Sequence, residues 1–329
     1  MAENRFRVGV TRDLMTAAGE PCFAPAAFEE LAANPAIDWE WMEETAEITA
    51  DQAARYDGLL VAMPRVTAAT VAREDLRLKI VARNGVGFDT VDVAALAAKG
   101  VVTTNTPFAI RRPVAVAALT LVFALATRLF QKDRLVREGR WNARTDFMGM
   151  GLTRRTLGIV GAGGIGSELI RLAKPFFGRV LAADPEVREA QIAALGAEKA
   201  ELPRLLAEAD AVVVCCLLTP KTRHLIGAAE FAAMKPTAYF VNVGRGPIHD
   251  EAALAEALRA GEIAGAGLDV TEVEPISPDS PLLAMENVII TPHALCWTDE
   301  CFEEIARTAL RSIADLSLGR RPRHVVEPV

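Results

Sequence analysis

The sequence predicts an α/β protein of two parallel-sheet domains, one of them doubly wound, and three observations carry that reading. A chain of 329 residues is long for a single core and sufficient for two. Short apolar runs of strand character alternate with helical segments along most of its length. Between residues 157 and 184 an apolar run, a glycine turn, a helical segment and a second apolar run ending in an acid make one strand, turn, helix, strand unit.

That unit organises the rest. Gly161 permits the tight turn out of the strand, Gly163 lets the backbone approach a pyrophosphate, and Gly166 lets the helix pack hard against the strand. Gly164 and Ile165 open the helix, whose free N–H groups and positive dipole end point at the same pyrophosphate. Asp184 closes the second strand, where a carboxylate accepts hydrogen bonds from the adenosine ribose and repels a 2′-phosphate. Pro185 and Glu186 follow it with no Arg between, so NAD is expected rather than NADP.

Before the turn, strands are expected at 5–11, 37–42, 57–62, 78–83 and 101–104, with helices at 25–33, 67–74 and 91–99. From 113 to 136 runs a segment rich in Ala, Leu and Val, with Pro113 suited to a first helical turn. As one helix it would be about 36 Å long, and its all-round apolar character predicts burial between domains or in a subunit interface. A membrane span is the competing reading, but Arg128, Lys132, Asp133 and Arg134 interrupt the run. After Asp184, strands are expected at 211–217, 238–242, 264–268 and 288–290. Helices are expected at 189–195, 202–207, 250–260 and 298–317, the last packing back on the first domain.

Composition sets the class. With 51% hydrophobic and 24% charged residues the chain is an ordinary soluble globular protein, and a net charge of −7 argues against a nucleic-acid partner. The first residues hold no apolar signal core, which predicts a cytoplasmic protein with no membrane association. Cys22, Cys215, Cys216, Cys296 and Cys301 are odd in number and lack metal-ligand spacing, so no metal is expected and they are assigned to packing.

Three later residues each follow a strand: Arg245 in Val243-Gly244-Arg245-Gly246, Glu274 before Pro275, and His293 after Thr291-Pro292. Ligands of open parallel sheets bind beyond the carboxyl ends of the strands, so the three should converge on one rim. A guanidinium holds a carboxylate with two prongs and polarises the neighbouring carbonyl. An imidazole delivers a proton to oxygen as hydride reaches carbon, and a carboxylate beside it fixes its tautomer and favours its protonated form. Singly, each has a bland alternative, as a surface Arg, a turn His and a loop Glu.

Together these stretches resemble the D-2-hydroxyacid dehydrogenase family, which includes D-3-phosphoglycerate dehydrogenase and glyoxylate/hydroxypyruvate reductase. The matching motifs are Gly85-Val86-Gly87-Phe88-Asp89, Asn105-Thr106-Pro107, Gly161 to Gly166, Leu218 to His224, Val241 to Gly246, Gly267-Leu268-Asp269-Val270 and Thr291-Pro292-His293. The resemblance implies a Rossmann-type doubly wound sheet, residues 106–291, inserted into a smaller flavodoxin-like substrate domain made of 1–105 and 292–329. It implies that Arg245 binds the substrate carboxylate, that His293 is the acid/base and contacts the cofactor, and that Glu274 pairs with it. Asn84, Gly85 and Val86 would bind the substrate through backbone N–H groups. Asp269 would hold the nicotinamide carboxamide, with Cys216, Thr222 and Val243 lining the cofactor, and the long helix would form part of a homodimer interface.

Departures from the family pattern are local. The stretch 108–116 carries Arg111 and Arg112 where relatives are polar, and two cations at a helix start cost roughly 0.3–1 kcal/mol each unless something offsets them. An anion of substrate or cofactor is one candidate, and acids of the protein itself the other. Val61-Ala62-Met63 makes the other side of the substrate pocket more apolar than is usual, and Trp297 either walls the pocket or belongs to the core. The reading is an NAD-dependent oxidoreductase moving hydride between nicotinamide and C2 of a small 2-keto or D-2-hydroxy acid. The alternative is an NAD(H)-sensing, corepressor-like binding protein of the same fold.

Overall fold

Apolar runs of strand length become two parallel sheets in the computed structural model, which describes residues 5–328. The first contains β1 (Phe6–Val10), β2 (Ile37–Trp41), β3 (Gly58–Val61), β4 (Ile80–Arg83) and β5 (Val102–Thr104), in the order β2-β1-β3-β4-β5. Alternation along the strands splits its core in two: Leu60, Ile80 and Ala82 join one apolar cluster, while Leu59, Val61 and Val81 join another. Phe302, Leu310 and Ile313 of the closing helix Asp299–Ser317 complete the first cluster. Thr298 caps that helix by accepting the Cys301 N–H at 3.2 Å. The closing helix thus belongs to the first unit, which comprises the chain up to Ile110 and from Trp297 onward.

The second unit, Arg111–Cys296, holds seven strands. They are β6 (Thr156–Val160), β7 (Arg179–Ala183), β8 (Glu198–Lys199), β9 (Ala211–Val214), β10 (Tyr239–Asn242), β11 (Gly265–Leu268) and β12 (Val288–Ile290). All pairs are parallel, in the order β12-β11-β10-β9-β6-β7-β8. The winding reverses between β6 and β9, which is the ligand-binding crevice of a doubly wound sheet. Its central strands are fully buried, as β9 and β10 show with Val212, Val214, Phe240 and Val241 inaccessible to solvent.

Four local expectations are corrected. Residues 25–33 form a 3₁₀ helix, and 67–74 form turns instead of a helix. There the threonines take backbone partners: Thr67 N–H donates to Thr70 Oγ1 at 2.9 Å and Thr70 Oγ1 donates to the Ile48 carbonyl at 2.7 Å, which competes with helical bonding. The strand at 211–217 stops at Val214.

The long apolar helix is two helices, Arg111–Thr127 and Leu129–Arg137, bent by 57° at Arg128, whose φ is 55°. A helix continuing straight would use the Ala126 carbonyl, but the Met150 N–H takes it at 2.7 Å. Among the described residues no single helix is long and apolar enough to cross a membrane; the bent pair passes by length and composition, and ten residues of its first helix are buried in the unit.

Candidate active site

β10, β11 and β12 are neighbours in the sheet, so the loops leaving their carboxyl ends are neighbours too. Arg245 follows β10, Glu274 follows β11 and His293 follows β12. His293 Nδ1 lies 2.9 Å from Glu274 Oε2, with each side chain about one-third exposed, at 32% and 33%. The other Glu274 oxygen accepts the Thr271 N–H at 3.2 Å. Burial pushes the Glu274 carboxyl up, but the His293 hydrogen bond and charge, the Thr271 N–H and the Arg245 guanidinium outweigh it and hold the group below its ordinary value. An ionised Glu274 only accepts, so the proton between them sits on His293 Nδ1 and the other ring nitrogen, Nε2, points its chemistry elsewhere.

Each loop is locked from beneath. Asn242, at the end of β10 and fully buried, accepts the Gly244 N–H at 2.9 Å and donates to the Arg245 carbonyl at 2.9 Å and to His249 Nδ1 at 3.0 Å. Gly246 lies so close to the Glu274 loop that a Cβ there would sit 1.8 Å from the Thr271 carbonyl. Asp269 Oδ1 accepts three bonds from the His293 loop, from Thr291 Oγ1 at 2.6 Å and from the N–H groups of Ala294 and Leu295 at 3.1 Å each. Asp269 is thus the staple of the loop that carries His293, in addition to the carboxamide contact the resemblance implied.

A second imidazole–carboxylate pair went unread in the sequence. His224 Nε2 and Glu272 Oε1 are 2.6 Å apart, joining the 218–224 loop to the loop that carries Glu274. Glu272 N–H donates to Glu251 Oε2 at 3.0 Å, and Glu251 N–H donates back to Glu272 Oε2 at 3.3 Å. His249 is also buried; burial pushes its pKa down to about 4, ahead of the opposing pull of the Glu272 and Asp250 charges. Periodicity holds no signal for either, since a loop residue's partner lies 48 positions away for His224.

The glycine turn fits a dinucleotide. Gly161 has φ 98°, and a Cβ there would lie 2.7 Å from Cys216 backbone, which brings the β6 and β9 loops together at the reversal. A Cβ on Gly166 would lie 1.9 Å from the Gly161 carbonyl, so the helix Gly164–Ala173 packs directly on the turn, while the Gly163 position opens on free space. That helix starts without a side-chain cap, leaving its first N–H groups to a ligand. Asp184 follows β7 and accepts the N–H groups of Ala162 at 2.8 Å, Glu186 at 2.9 Å and Val187 at 3.1 Å, tying the turn while keeping a lone pair on Oδ2 for a ribose hydroxyl. The Cys216 thiol is pushed up to about 11 by burial, and Val243 is buried. Thr222 closes a tight turn by donating to the Leu217 carbonyl at 2.6 Å. Among the described residues no cluster of His, Cys, Asp and Glu could hold a metal ion.

In the first unit, the Asn84-Gly85-Val86 loop follows β4. Asn105 Nδ2 donates to the Val86 carbonyl at 2.9 Å and Thr106 N–H to the Gly85 carbonyl at 2.9 Å. The Gly85 N–H turns inward to the Arg83 carbonyl at 3.0 Å, and Asn84 Oδ1 is buried without a hydrogen bond. Val61 and Ala62 are buried, Met63 is half exposed, and Trp297 packs edge-on to Phe302 with centroids 4.9 Å apart.

The fold and turn define the class, a dinucleotide-binding protein with a doubly wound sheet. The NAD-binding domain model of the D-isomer-specific 2-hydroxyacid dehydrogenases matches residues 119–294. A glyoxylate reductase of Korarchaeum cryptofilum is 41% identical over 253 residues, 76% of each chain. A glyoxylate/hydroxypyruvate reductase B of Citrobacter koseri is 37% identical over 292 residues, 87% of this chain and 89% of that one. The crystal structure of the TT0316 protein from Thermus thermophilus superimposes with a TM-score of 0.86 at 32% identity, covering 98% of this chain and all of the other. The chain belongs to the D-isomer-specific 2-hydroxyacid dehydrogenase family. It is an NAD-dependent oxidoreductase.

Proposed function

We propose that this chain reduces a small 2-keto acid with NADH at C2, glyoxylate and hydroxypyruvate being the first candidates. The observation that carries this is the 2.9 Å contact of His293 Nδ1 with Glu274 on the rim that also holds Arg245. The bound cofactor supplies the hydride. Arg245 holds the substrate carboxylate and draws electron density from the adjoining carbonyl. His293 enters doubly protonated, gives the Nε2 proton to the carbonyl oxygen and is left neutral, its Nδ1–H still held by the ionised Glu274. In the reverse direction the same nitrogen removes the hydroxyl proton. In the Asn84-Gly85-Val86 loop the Asn84 and Gly85 N–H groups are held by the Val61 and Arg83 carbonyls, at 2.7 and 3.0 Å, so the substrate-binding role that the resemblance implied falls to the Val86 N–H.

The reductase names of the relatives support a small substrate and favour catalysis over sensing. The carboxylate of Asp184 supports NADH over NADPH. Val136, Trp141 and Met148 are 58%, 60% and 76% exposed, an apolar surface that supports a homodimer. Cys22, Cys215 and Cys216 are unbonded thiols, which supports a reducing, cytoplasmic compartment. NADH oxidation followed by absorbance against glyoxylate, hydroxypyruvate, pyruvate, phenylpyruvate, oxaloacetate and 2-ketoglutarate tests the proposal. Turnover with the two smallest and a NADH preference support it; silence across the panel while NADH still binds returns weight to the sensing protein.

A further inference from the structure

The two arginines at the start of the helix Arg111–Thr127 have different surroundings. Arg112 meets an acid of its own unit, with Nη1 2.9 Å from Glu168 Oε1. Arg111 lies against the glycine turn. Its Nε, Cζ and Cδ are 2.6, 3.0 and 3.2 Å from the point where a Cβ on Gly164 would stand, so the guanidinium fills the space left by the missing side chain. Any residue but glycine at 164 would push it away.

The electrostatics of that placement favour an anion. Arg111 is in the first turn of its own helix and beside the first residue of Gly164–Ala173, so it faces the positive end of two helices. The N-cap Gly163 brings no side-chain oxygen, and the space beside it is open. A pyrophosphate there meets two helix dipoles, the turn's N–H groups and a fork of charged donors at once.

We propose that Arg111 is a cofactor-binding residue that grips the NAD pyrophosphate, and that Gly164 is small so that the guanidinium can reach it. This rests on NAD binding and not on the choice of substrate. The ADP-ribose half is its target, so NADH and ADP-ribose should depend on it alike.

Fluorescence titration of NADH and calorimetry of ADP-ribose, on wild type, Arg111→Gln, Arg111→Lys and Arg112→Gln, test this without turnover. A charge-assisted contact that is partly exposed predicts roughly a tenfold weaker affinity for both ligands in Arg111→Gln. Arg111→Lys should recover part of it and Arg112→Gln should stay within twofold of wild type. The plot of log affinity against log salt should flatten in Arg111→Gln. Gly164→Ala should weaken NADH binding in wild type and add little in the Arg111→Gln background. Unchanged affinities for both ligands would overturn the proposal, as would a lower ligand-free melting temperature with no specific loss of ADP-ribose. So would an effect confined to the KM of the keto acid, which would make Arg111 a substrate clamp.

Discussion

Replacing Glu274 by Gln keeps the shape of the side chain and removes its charge from His293. Unit charges about 4 Å apart attract by about 4 kcal/mol at an effective dielectric of 20. Both groups are one-third exposed, and solvent screening reduces that to about 1–2 kcal/mol. The loss falls on the doubly protonated imidazole, the form that gives its proton to the carbonyl oxygen. At neutral pH the kcat/KM of keto-acid reduction should therefore fall roughly five- to thirtyfold. NADH affinity, measured by fluorescence, should stay near wild type. A kcat/KM within twofold of wild type would refute the assignment of Glu274 as the partner that holds the proton on His293.

Two further outcomes follow from packing and burial. His249 is buried neutral with a pKa of about 4, so an unfolded chain binds the proton first as pH falls. Its stabilising contribution is intact above about pH 6.5 and is lost towards pH 4, amounting to about 3 kcal/mol in urea unfolding, and His249→Phe should flatten that slope. Gly166→Ala places a Cβ 1.9 Å from the Gly161 carbonyl, so the turn must open: expect a loss of about 1–3 kcal/mol in stability and a marked loss of NADH affinity, and a wild-type titration curve would contradict the packing.

The sequence carried the site where local grammar sets geometry. A strand followed by Gly161, Gly163 and Gly166 has few other ways to fold, and three polar residues placed just after three strands were bound to share a rim once those strands paired as neighbours. It did not carry what depends on distant partners. The break at Arg128 was hidden because the Met150 N–H that ends the helix comes from 24 residues after Ala126. The His224–Glu272 pair arises only when loops from different strands meet, and the Asn242–His249 contact depends on the turn at Gly246–Ile248 that brings the chain back on itself. The arginine pair was legible as an electrostatic anomaly, while the difference between Arg112, paired with Glu168, and Arg111, against Gly164, required the packing of two helices.

The most direct test of the central claim is His293→Ala, with steady-state reduction of glyoxylate or hydroxypyruvate measured beside NADH binding. If His293 delivers the proton from a ring held by Glu274, kcat should drop by roughly 10²–10⁴-fold while the NADH dissociation constant stays within twofold. Turnover close to wild type would remove His293 from the chemistry and with it the account of this site.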